Sequence, residues 1–372
     1  MTEETTQTDG GDVPTLTSIP IQDISPPSPS YSYYDNTRVS SFKNCPRSYF
    51  LRHIKNWRRE GTAAPLVFGS AWHEGMDVIW GLFGKKPDHE VLELASEAFL
   101  NKWKEDGYPD WDDMDVADLS RLAPRTPAVA KEMFYNYIQE RREFLSEIEV
   151  IAIEKPFAVS IGLPGILYVG RLDKVFEKDG RIYVGEHKTT TAYKKDGGFR
   201  SDWLESWSPN SQVDGYLHAA HMMYGDAVKD VWIDGALVHK TVNDKFRFIP
   251  VTRMTAMLSA WLSDVQKWIL AIEVETAKYE HALRIGEAEG DEYMTHFPKN
   301  TEHCFDKYGA CSFIDICRYV PNPNHYSDEE PPAGYIQEKW EPFDVLGLEE
   351  LGLKPETEEN SDYGNSDDGE DS

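Results

Sequence analysis

Apolar residues at three- and four-residue spacing recur between residues 40 and 148 and predict amphipathic helices. In the first of these, a Ser-Ser pair at positions 40 and 41 is a suitable N-cap for a basic, aromatic-rich segment. The predicted helices span residues 40–54, 70–83, 91–104 and 127–148. The first part of the chain is therefore expected to be mostly helical.

From residue 149 the pattern changes to short β-branched and aromatic runs that are separated by Gly and Pro. The runs EVIAIEKPFAVSI, ILYVGRLDKVFE and RIYVGEHKTT predict three strands. A helix is expected from Ser208-Pro209 to Gly225, because a cap residue followed by proline favours a helix start and glycine favours a helix end. A strand pair at 230–239 and 245–251 and a long helix at 252–287 follow. This order predicts an α/β fold.

Composition limits the class of protein. The 372 residues are 40% hydrophobic and 12% aromatic, which is enough for a packed core in one large domain or two smaller ones. No apolar run is long enough for a transmembrane helix, and the first thirty residues lack the basic and apolar regions of a signal peptide. We therefore expect an intracellular, cytoplasmic protein that does not associate with membranes.

The formal net charge of −27 is concentrated at the two ends of the chain. Residues 326–372 hold 16 acidic and 2 basic side chains, and residues 1–35 hold 6 acidic side chains and no Lys or Arg. Both segments are expected to be disordered, which leaves residues 36–325 as the folded domain. Acidic ends most simply keep a protein soluble, so the overall charge does not exclude a nucleic-acid ligand.

The dipeptide Asp179-Gly180 between two predicted strands is typical of a two-residue type I′ hairpin turn. Such a turn fixes which residues face each other across the two strands. It predicts that Asp173 lies opposite Glu186, and that Arg171 and Lys188 form the next pair on the same face. Opposed carboxylates, with Cβ atoms about 5 Å apart, repel each other unless a cation lies between them.

A divalent cation is the simplest partner for Asp173 and Glu186. Mg²⁺ prefers oxygen ligands and commonly takes only one or two protein carboxylates. Lys188, two residues after Glu186 on the same side of the strand, would place an ammonium group beside a phosphate and offset its developing negative charge. The alternative is a solvated strand face, because an Asp followed later by Glu-x-Lys is a short and frequent pattern.

The segment GRLDKVFEKDGRIYVGEHKTTT resembles motifs II and III of the PD-(D/E)XK nucleases, particularly their RecB-like and Cas4-like branch. The resemblance implies an α/β, restriction-endonuclease-like core with a mixed central sheet flanked by helices, and additional helices. It also implies that Asp173 and Glu186 bind a catalytic Mg²⁺ or Mn²⁺ ion and that Lys188 is catalytic. The sequence Gly-Arg-Leu-Asp stands where the name-giving motif has Pro-Asp, which is ordinary in this branch.

Three further segments resemble the same branch, in the expected order along residues 38–320. SSFKNCPRSYFLRHI resembles its opening cysteine segment, and GSAWHEGMD resembles its histidine motif, which implies that His73 is an additional metal ligand. QVDGY resembles its Q-x-x-x-Y motif and implies that Gln212 and Tyr216 bind DNA. Each has a structural alternative: His73 could be a core histidine, and Gln212 and Tyr216, on one helical face, could be a packing pair.

Three basic residues that follow the Glu-x-Lys strand either contact phosphates or lie in a solvated loop: Lys194, Lys195 and Arg200.

Four cysteines in an intracellular protein are not expected to form a disulfide framework. Cys45 stands alone, whereas Cys304, Cys311 and Cys317 form a C-x6-C-x5-C group. Four thiolates bind either zinc or an iron–sulfur cluster, and the close cysteine pairs of structural zinc sites are missing. The resemblance implies one [4Fe–4S] cluster that ties the two ends of the domain together, although the first gap of six residues is longer than in many relatives. Zinc, or buried cysteines that bind nothing, are the alternatives.

These features predict a Mg²⁺- or Mn²⁺-dependent DNA phosphodiesterase. By resemblance, an exonuclease in DNA replication, recombination or repair is favoured over an endonuclease, with a single strand or a duplex end as substrate. The alternative is a non-catalytic DNA-binding or recombination subunit that keeps the fold, which the intact Asp173, Glu186 and Lys188 disfavour. The tail segment IQEKWEPFDVLGLEELGL is a further candidate, as a recruiting peptide for a replication or recombination protein.

Overall fold

The computed structural model describes residues 31–194, 198–306 and 309–353. Lys195, most of the N-terminal segment that is predicted to be disordered, and residues 354–372 of the acidic tail lie outside the described residues. The strands are β1 (Ser32–Tyr34), β2 (Trp57–Arg59), β3 (Glu149–Ser160), β4 (Ile166–Lys178), β5 (Arg181–Thr190), β6 (Val228–Leu237), β7 (Phe246–Val251), β8 (Phe305–Asp306), β9 (Gly309–Ala310) and β10 (Tyr335–Gln337).

The helices alternate with these strands in a pattern that confirms the α/β prediction. They are α1 (Asn36–Asn44), α2 (Pro46–Tyr49), α3 (Ala64–Leu82), α4 (Asp88–Glu105), α5 (Val116–Leu122), α6 (Pro127–Glu147), α7 (Ser201–Glu205), α8 (Ser211–Tyr224), α9 (Thr255–Arg284), α10 (Glu287–Gly290), α11 (Ile314–Tyr319) and α12 (Pro342–Leu346). A π-helical turn, Phe50–Ile54, continues α2. In the described part of the chain, no helix is both long and apolar enough to span a bilayer.

Six strands form a mixed central sheet, with β1, β4, β5, β6 and β7 in that order. The β1–β4 and β5–β6 pairs are parallel, and β4–β5 and β6–β7 are antiparallel. Strand β3 pairs antiparallel with β4 along most of its length. Because β3 occupies one edge of β4, β1 and β5 share the other edge, one at each end.

Two hydrophobic clusters cover the two faces of this sheet, as expected for a sheet with helices on both sides. One cluster joins α3, α4 and α6 to the sheet, and it contains the stacked rings of Trp72 and Phe134 at 4.5 Å. The other joins α1, α8 and α9 to the opposite face, where Tyr168 contacts Trp261 edge to face at 5.5 Å. The sheet is therefore buried on both faces.

The β4–β5 hairpin has the predicted turn and register. Asp179 and Gly180 both adopt positive φ, at 53° and 71°, as a type I′ turn requires. The paired residues run from Lys178 opposite Arg181 to Lys174 opposite Gly185. Asp173 and Glu186 are the next residues on the two strands.

The first predicted helix, residues 40–54, is wrong as a single element. It is divided at Cys45, which has extended backbone angles of φ −160° and ψ 109° between α1 and α2. Pro46 is the cause, because a residue that precedes proline is pushed out of the helical region. The helix also begins earlier than predicted, at Asn36, where the Asp35 side chain accepts a hydrogen bond from the Arg38 N–H.

The predicted limits of disorder are wrong at both ends. At the N-terminus, β1 already pairs with β4. At the C-terminus, β10 pairs with β2, and a small core buries Phe343, Leu348 and Leu353 against β4. The prediction relied on the average charge of these segments. A few apolar residues among many acidic ones are enough to dock a segment on an existing surface. Phe343 and Leu348, which belong to the segment that was considered as a recruiting peptide, are buried within the chain.

Candidate metal centre and active site

Asp173 and His73 meet where helix α3 crosses the sheet. The His73 Nδ1 atom lies 3.2 Å from Asp173 Oδ2. The same carboxylate oxygen accepts a hydrogen bond of 3.0 Å from the backbone N–H of His187 in the neighbouring strand. Asp173 is only 7% exposed, so a helix and two strands fix its position together.

Burial and nearby charges give these two side chains different protonation states near pH 7. Burial lowers the pKa of His73 to about 4, against the opposing influence of Asp173. The imidazole is therefore neutral near pH 7, as a metal ligand must be. Burial disfavours the charged form of Asp173, but His73, Lys174 and Lys188 together lower its pKa to about 2. A neutral imidazole beside an ionised carboxylate forms a donor pair for a cation.

Glu154 is a third member of this group, and the sequence reasoning missed it. One ligand atom each from His73, Glu154 and Asp173 lies within 4.8 Å of the others. Glu154 adopts a positive φ of 49° within β3, and its Oε1 is buried without a hydrogen-bond partner in the described residues. Burial, followed by the charge of Asp173, raises its pKa to about 8. An acidic residue inside the apolar run EVIAIEKPF was the one available signal.

Arg171 lies beside Glu154. Its Nε atom is 2.5 Å from Glu154 Oε2, and it pairs with Pro156 of β3. The paired residues of the β4–β5 hairpin end at Lys174 and Gly185, before Arg171 and Lys188, which were predicted to face each other. Arg171 instead forms an ion pair with Glu154 of β3, the strand on the other side of β4.

Glu186 is the most buried carboxylate of the site, at 2% exposure. Its Oε1 atom accepts a hydrogen bond of 3.2 Å from Gln212 and forms an ion pair with Lys188, whereas Oε2 is buried with no hydrogen-bond partner among the described residues. Burial, followed by the repulsion of Asp173, raises the pKa of Glu186 to about 8. A buried carboxylate with an unsatisfied oxygen is costly, and a bound cation would remove that cost.

Lys188 extends from β5 beside these carboxylates, with 28% of its side chain exposed. Burial favours the neutral amine, but the charges of Glu186 and Asp173 prevail and raise the pKa of Lys188. The ammonium group is therefore charged near neutral pH. Its partial exposure leaves it accessible to an anionic ligand.

Gln212 and Tyr216 lie on the face of α8 that is turned towards Glu186. The Gln212 Nε2 group donates to Glu186 Oε1 and, at 3.1 Å, to the Tyr216 hydroxyl. Asn210 caps this helix by accepting hydrogen bonds from two N–H groups of its first turn. The pair thus holds a carboxylate in place, and a direct contact of either residue with DNA remains a prediction.

A buried polar network supports the strand from behind. His187 Nδ1 lies 3.3 Å from Asp234 Oδ2, and both side chains are 1–2% exposed. The Tyr137 hydroxyl donates to the same Asp234 oxygen at 2.6 Å and accepts from Trp80 Nε1 at 3.1 Å. The network packs behind the peptide whose N–H binds Asp173.

His73, Glu154 and Asp173 thus lie around one position. Glu186 lies on the neighbouring strand, with the Lys188 ammonium group paired to it. Carboxylate oxygens suit Mg²⁺ and Mn²⁺, and an imidazole nitrogen is a further ligand for a transition-metal ion. Glu186 Oε2 and Glu154 Oε1 are both buried without hydrogen-bond partners in the described residues. A bound cation would give both atoms a partner. The donor set therefore fits a divalent metal.

The sequence profile of the PD-(D/E)XK nuclease superfamily matches residues 36–318, which is more than half of the chain. The chain belongs to this superfamily. Nuclease chemistry, the cleavage of phosphodiester bonds, is thus the activity of its family, and divalent metal ions are the typical cofactors. The mixed sheet with flanking helices is the fold that the family implies.

Other comparisons add little to the family assignment. The crystal structure of a protein from Eubacterium rectale, provisionally described as an exonuclease, matches with a TM-score of 0.43 and 14% sequence identity. The match covers 90% of this nuclease and 98% of that chain. At this score the likeness carries no argument about activity. No curated protein matches this nuclease in sequence.

The four cysteines of the nuclease line one small cavity, although Cys45 is more than 250 residues away from the others along the chain. The backbone N–H of Asn300 lies 3.4 Å from Cys45 Sγ, and the Cys311 N–H donates to the Cys304 carbonyl at 2.9 Å. Burial raises the pKa of Cys317, while Lys299 and Arg47 act in the opposite direction. The fold thus brings the predicted cysteine set together around one space.

Proposed function

We propose that this nuclease hydrolyses phosphodiester bonds in DNA with the help of Mg²⁺ or Mn²⁺. Asp173, Glu186 and His73 would hold the ion, and Glu154 would complete the ligand set. When bound, the ion supplies a Lewis acid that polarises the phosphate and neutralises part of its charge. The observation that carries the proposal is the grouping of His73, Glu154 and Asp173 within 4.8 Å, with Glu186 on the neighbouring strand and Lys188 paired to it.

Each side chain has a distinct role in this proposal. Lys188 would place its ammonium group beside the reacting phosphate and stabilise the negative charge that develops in the transition state. Gln212, which donates to Glu186, would orient that carboxylate towards the ion. The His187 N–H would do the same for Asp173. The retention of Lys188 and both carboxylates supports catalysis over a purely DNA-binding role.

We further propose the RecB-like and Cas4-like branch, exonuclease action, and a role in DNA replication, recombination or repair. The support is the order of the motifs, from the cysteine segment through the histidine motif to the Q-x-x-x-Y motif. In agreement with that order, His73 and Gln212 contact the two carboxylates of the Asp…Glu-x-Lys motif. A single strand or a duplex end is the proposed substrate.

A [4Fe–4S] cluster on Cys45, Cys304, Cys311 and Cys317 completes the proposal. The support is that the four residues line one cavity. The close cysteine pairs that are typical of structural zinc sites are missing from the sequence, which favours the cluster over zinc. The cluster would have a structural role for the fold.

The decisive experiment incubates anaerobically purified protein with end-labelled single-stranded and double-stranded DNA in Mg²⁺, Mn²⁺ or EDTA. We expect metal-dependent release of short products from DNA ends, and at least a hundredfold loss of rate in Lys188→Ala. His73→Ala should need more metal, with partial rescue by excess Mn²⁺. The matched control is Lys229→Ala, which removes one exposed lysine from the far end of β6.

Two results would contradict the proposal in different ways. A Lys188→Ala protein that degrades DNA at the wild-type rate would refute the active-site assignment. If the wild type binds DNA but does not cleave it in either Mg²⁺ or Mn²⁺, the protein is a non-catalytic subunit.

A further inference from the structure

A basic groove lies next to the acidic centre, at the end of the sheet to which β5 leads. Its volume is about 360 Å³. The lining residues are Lys194, Gly198, Phe199, Leu204, Lys245, Phe246 and Arg247. No acidic residue is among these described lining residues, although the chain as a whole carries a net charge of −27. Such a local excess of positive charge favours an anionic ligand.

The register of the sheet connects this groove to Lys188. Lys188 pairs with Gly235 of β6, and Gly235 pairs with Arg247 of β7. Paired residues on neighbouring strands point to the same face, so Lys188 and Arg247 lie in one row on the face that α8 covers. Two strand spacings separate their Cα atoms, which amounts to about 10 Å.

Aromatic rings fill the space between the two cations. The rings of Phe199 and Trp203 stack at 5.1 Å with an interplanar angle of 21°. They sit over Gly235, where an added Cβ atom would lie only 2.5 Å from the Trp203 ring. Glycine is therefore required for this close approach. Phe199 is partly exposed and contributes its ring to the wall of the groove.

Arg247 is the cation best placed to bind a ligand. It is exposed on β7 and forms no ion pair with a carboxylate in the described part of the chain. Lys245 pairs with Asp244 at 3.0 Å, but both side chains are about half exposed, and such surface pairs are weak and easily exchanged. The groove thus offers a guanidinium group for phosphate and an aromatic face for a base.

We propose that this groove binds the substrate strand beside the scissile bond, with Arg247 on a phosphate and a base stacked on Phe199. The inference rests on the proposed nuclease function and deepens it. At about 3.4 Å of rise per nucleotide, the distance of about 10 Å from Lys188 corresponds to roughly three stacked nucleotides. The groove is therefore a subsite for the strand and lies outside the metal centre.

The test measures binding of a fluorescent 20-nucleotide single strand to the full-length protein in EDTA across a range of salt concentrations. Arg247→Ala should weaken binding and lower the slope of log affinity against log salt by about one. Arg247→Glu should weaken binding further. Phe199→Ala should weaken binding roughly tenfold without a change of slope, because a stacked base carries no charge contact. Lys229→Ala, which removes the same charge from the opposite end of β6, should change neither quantity.

The outcomes separate this inference from the proposed function. If Arg247→Ala and Arg247→Glu match Lys229→Ala in affinity and slope while the wild type still cleaves DNA in Mg²⁺ or Mn²⁺, the groove is not a strand subsite and the proposed function stands. If the wild type neither binds nor cleaves DNA, both fail. Equal thermal melting of the Arg247 variants and the wild type confirms that the variants are folded.

Discussion

The acidic centre and the cysteine cavity are built in opposite ways. Three of the four proposed metal ligands lie on adjacent strands of one sheet, and only His73 comes from a helix. The cysteine cavity joins a break between two N-terminal helices to a C-terminal segment of very short strands and helices. A sheet holds groups in register by itself, whereas irregular segments need an added link to stay together.

The contacts around the cysteines illustrate this need. The buried Arg47 guanidinium donates to the carbonyls of Phe297 at 3.0 Å and Met294 at 3.2 Å. Lys299 donates to the Cys317 carbonyl at 2.8 Å. These bonds join the two ends of the domain around the cavity. We therefore expect that loss of the bound metal abolishes catalysis in the acidic centre and lowers stability in the cysteine cavity.

The largest expected effect is that of Glu186→Gln on catalysis. Loss of the charged ligand should lower the cleavage rate by a hundredfold or more. A measurement of cleavage in Mg²⁺ and Mn²⁺ checks this. A variant that retains more than a tenth of the wild-type rate would show that Glu186 is not a ligand of the catalytic ion.

In EDTA, the same variant should show how much the buried charge of Glu186 destabilises the metal-free protein. The folded Glu186 carboxyl keeps its proton up to about pH 8, whereas the reference carboxyl loses it near pH 4.5. The wild type therefore loses stability as the pH rises through this window. Glu186→Gln should match the wild type near pH 4 and melt at a higher temperature above pH 8. Identical melting curves across this range would contradict the raised pKa.

The next effect concerns stability at the cysteine cavity. Cys304→Ser should lose the proposed cluster and melt roughly 10 °C lower, because cross-linking of distant segments by a metal centre contributes directly to folding. Iron and sulfide analysis, with thermal melting, checks this. Stoichiometric zinc without iron would refute the cluster, and an unchanged melting temperature with full loss of metal would refute its structural role.

A smaller loss of stability is expected from truncation after Gly334, which removes β10 and its buried neighbours. Tyr335 stacks on Phe313 beside the cysteine cavity and donates to the Ser312 carbonyl at 2.7 Å. Phe343 and Leu348 are buried against β4, and each buried apolar side chain contributes about 1.5–3 kcal/mol. We expect a fall in melting temperature of roughly 5 °C. Truncation after Leu353 is the control, and equal melting of the two truncated proteins would contradict the prediction.

The smallest effect is expected at the network behind the acidic centre. Tyr137→Phe removes a hydrogen bond of 2.6 Å to Asp234, whose Oδ2 atom lies 3.3 Å from His187 Nδ1. The metal affinity should fall by about tenfold, with a loss of only about 1 kcal/mol in stability. Calorimetric titration with Mn²⁺ measures the first and denaturant unfolding the second. If stability falls but metal affinity does not, the network is structural and does not position Asp173.

Sequence reasoning succeeded where local chemistry fixes geometry. Asp179-Gly180 determined the turn and hence the register, in which Asp173 and Glu186 directly follow the last pair, Lys174 and Gly185. Helix α8 ends at Gly225 as expected, although Asn210 and not Ser208 caps its start. It failed at Cys45, where the effect of Pro46 on the preceding residue was overlooked.

By itself, the sequence determined the fold class, the hairpin and the Asp…Glu-x-Lys pattern, because turn chemistry and hydrophobic period depend on neighbours along the chain. Only the tertiary structure decided that Glu154 joins His73 and Asp173, that Gln212 holds Glu186, and that Arg247 lies in the row of Lys188. It also decided that the acidic C-terminal segment docks as far as Leu353. These contacts join residues that are far apart in the chain, and their free energy comes from burial and pairing that no local pattern records.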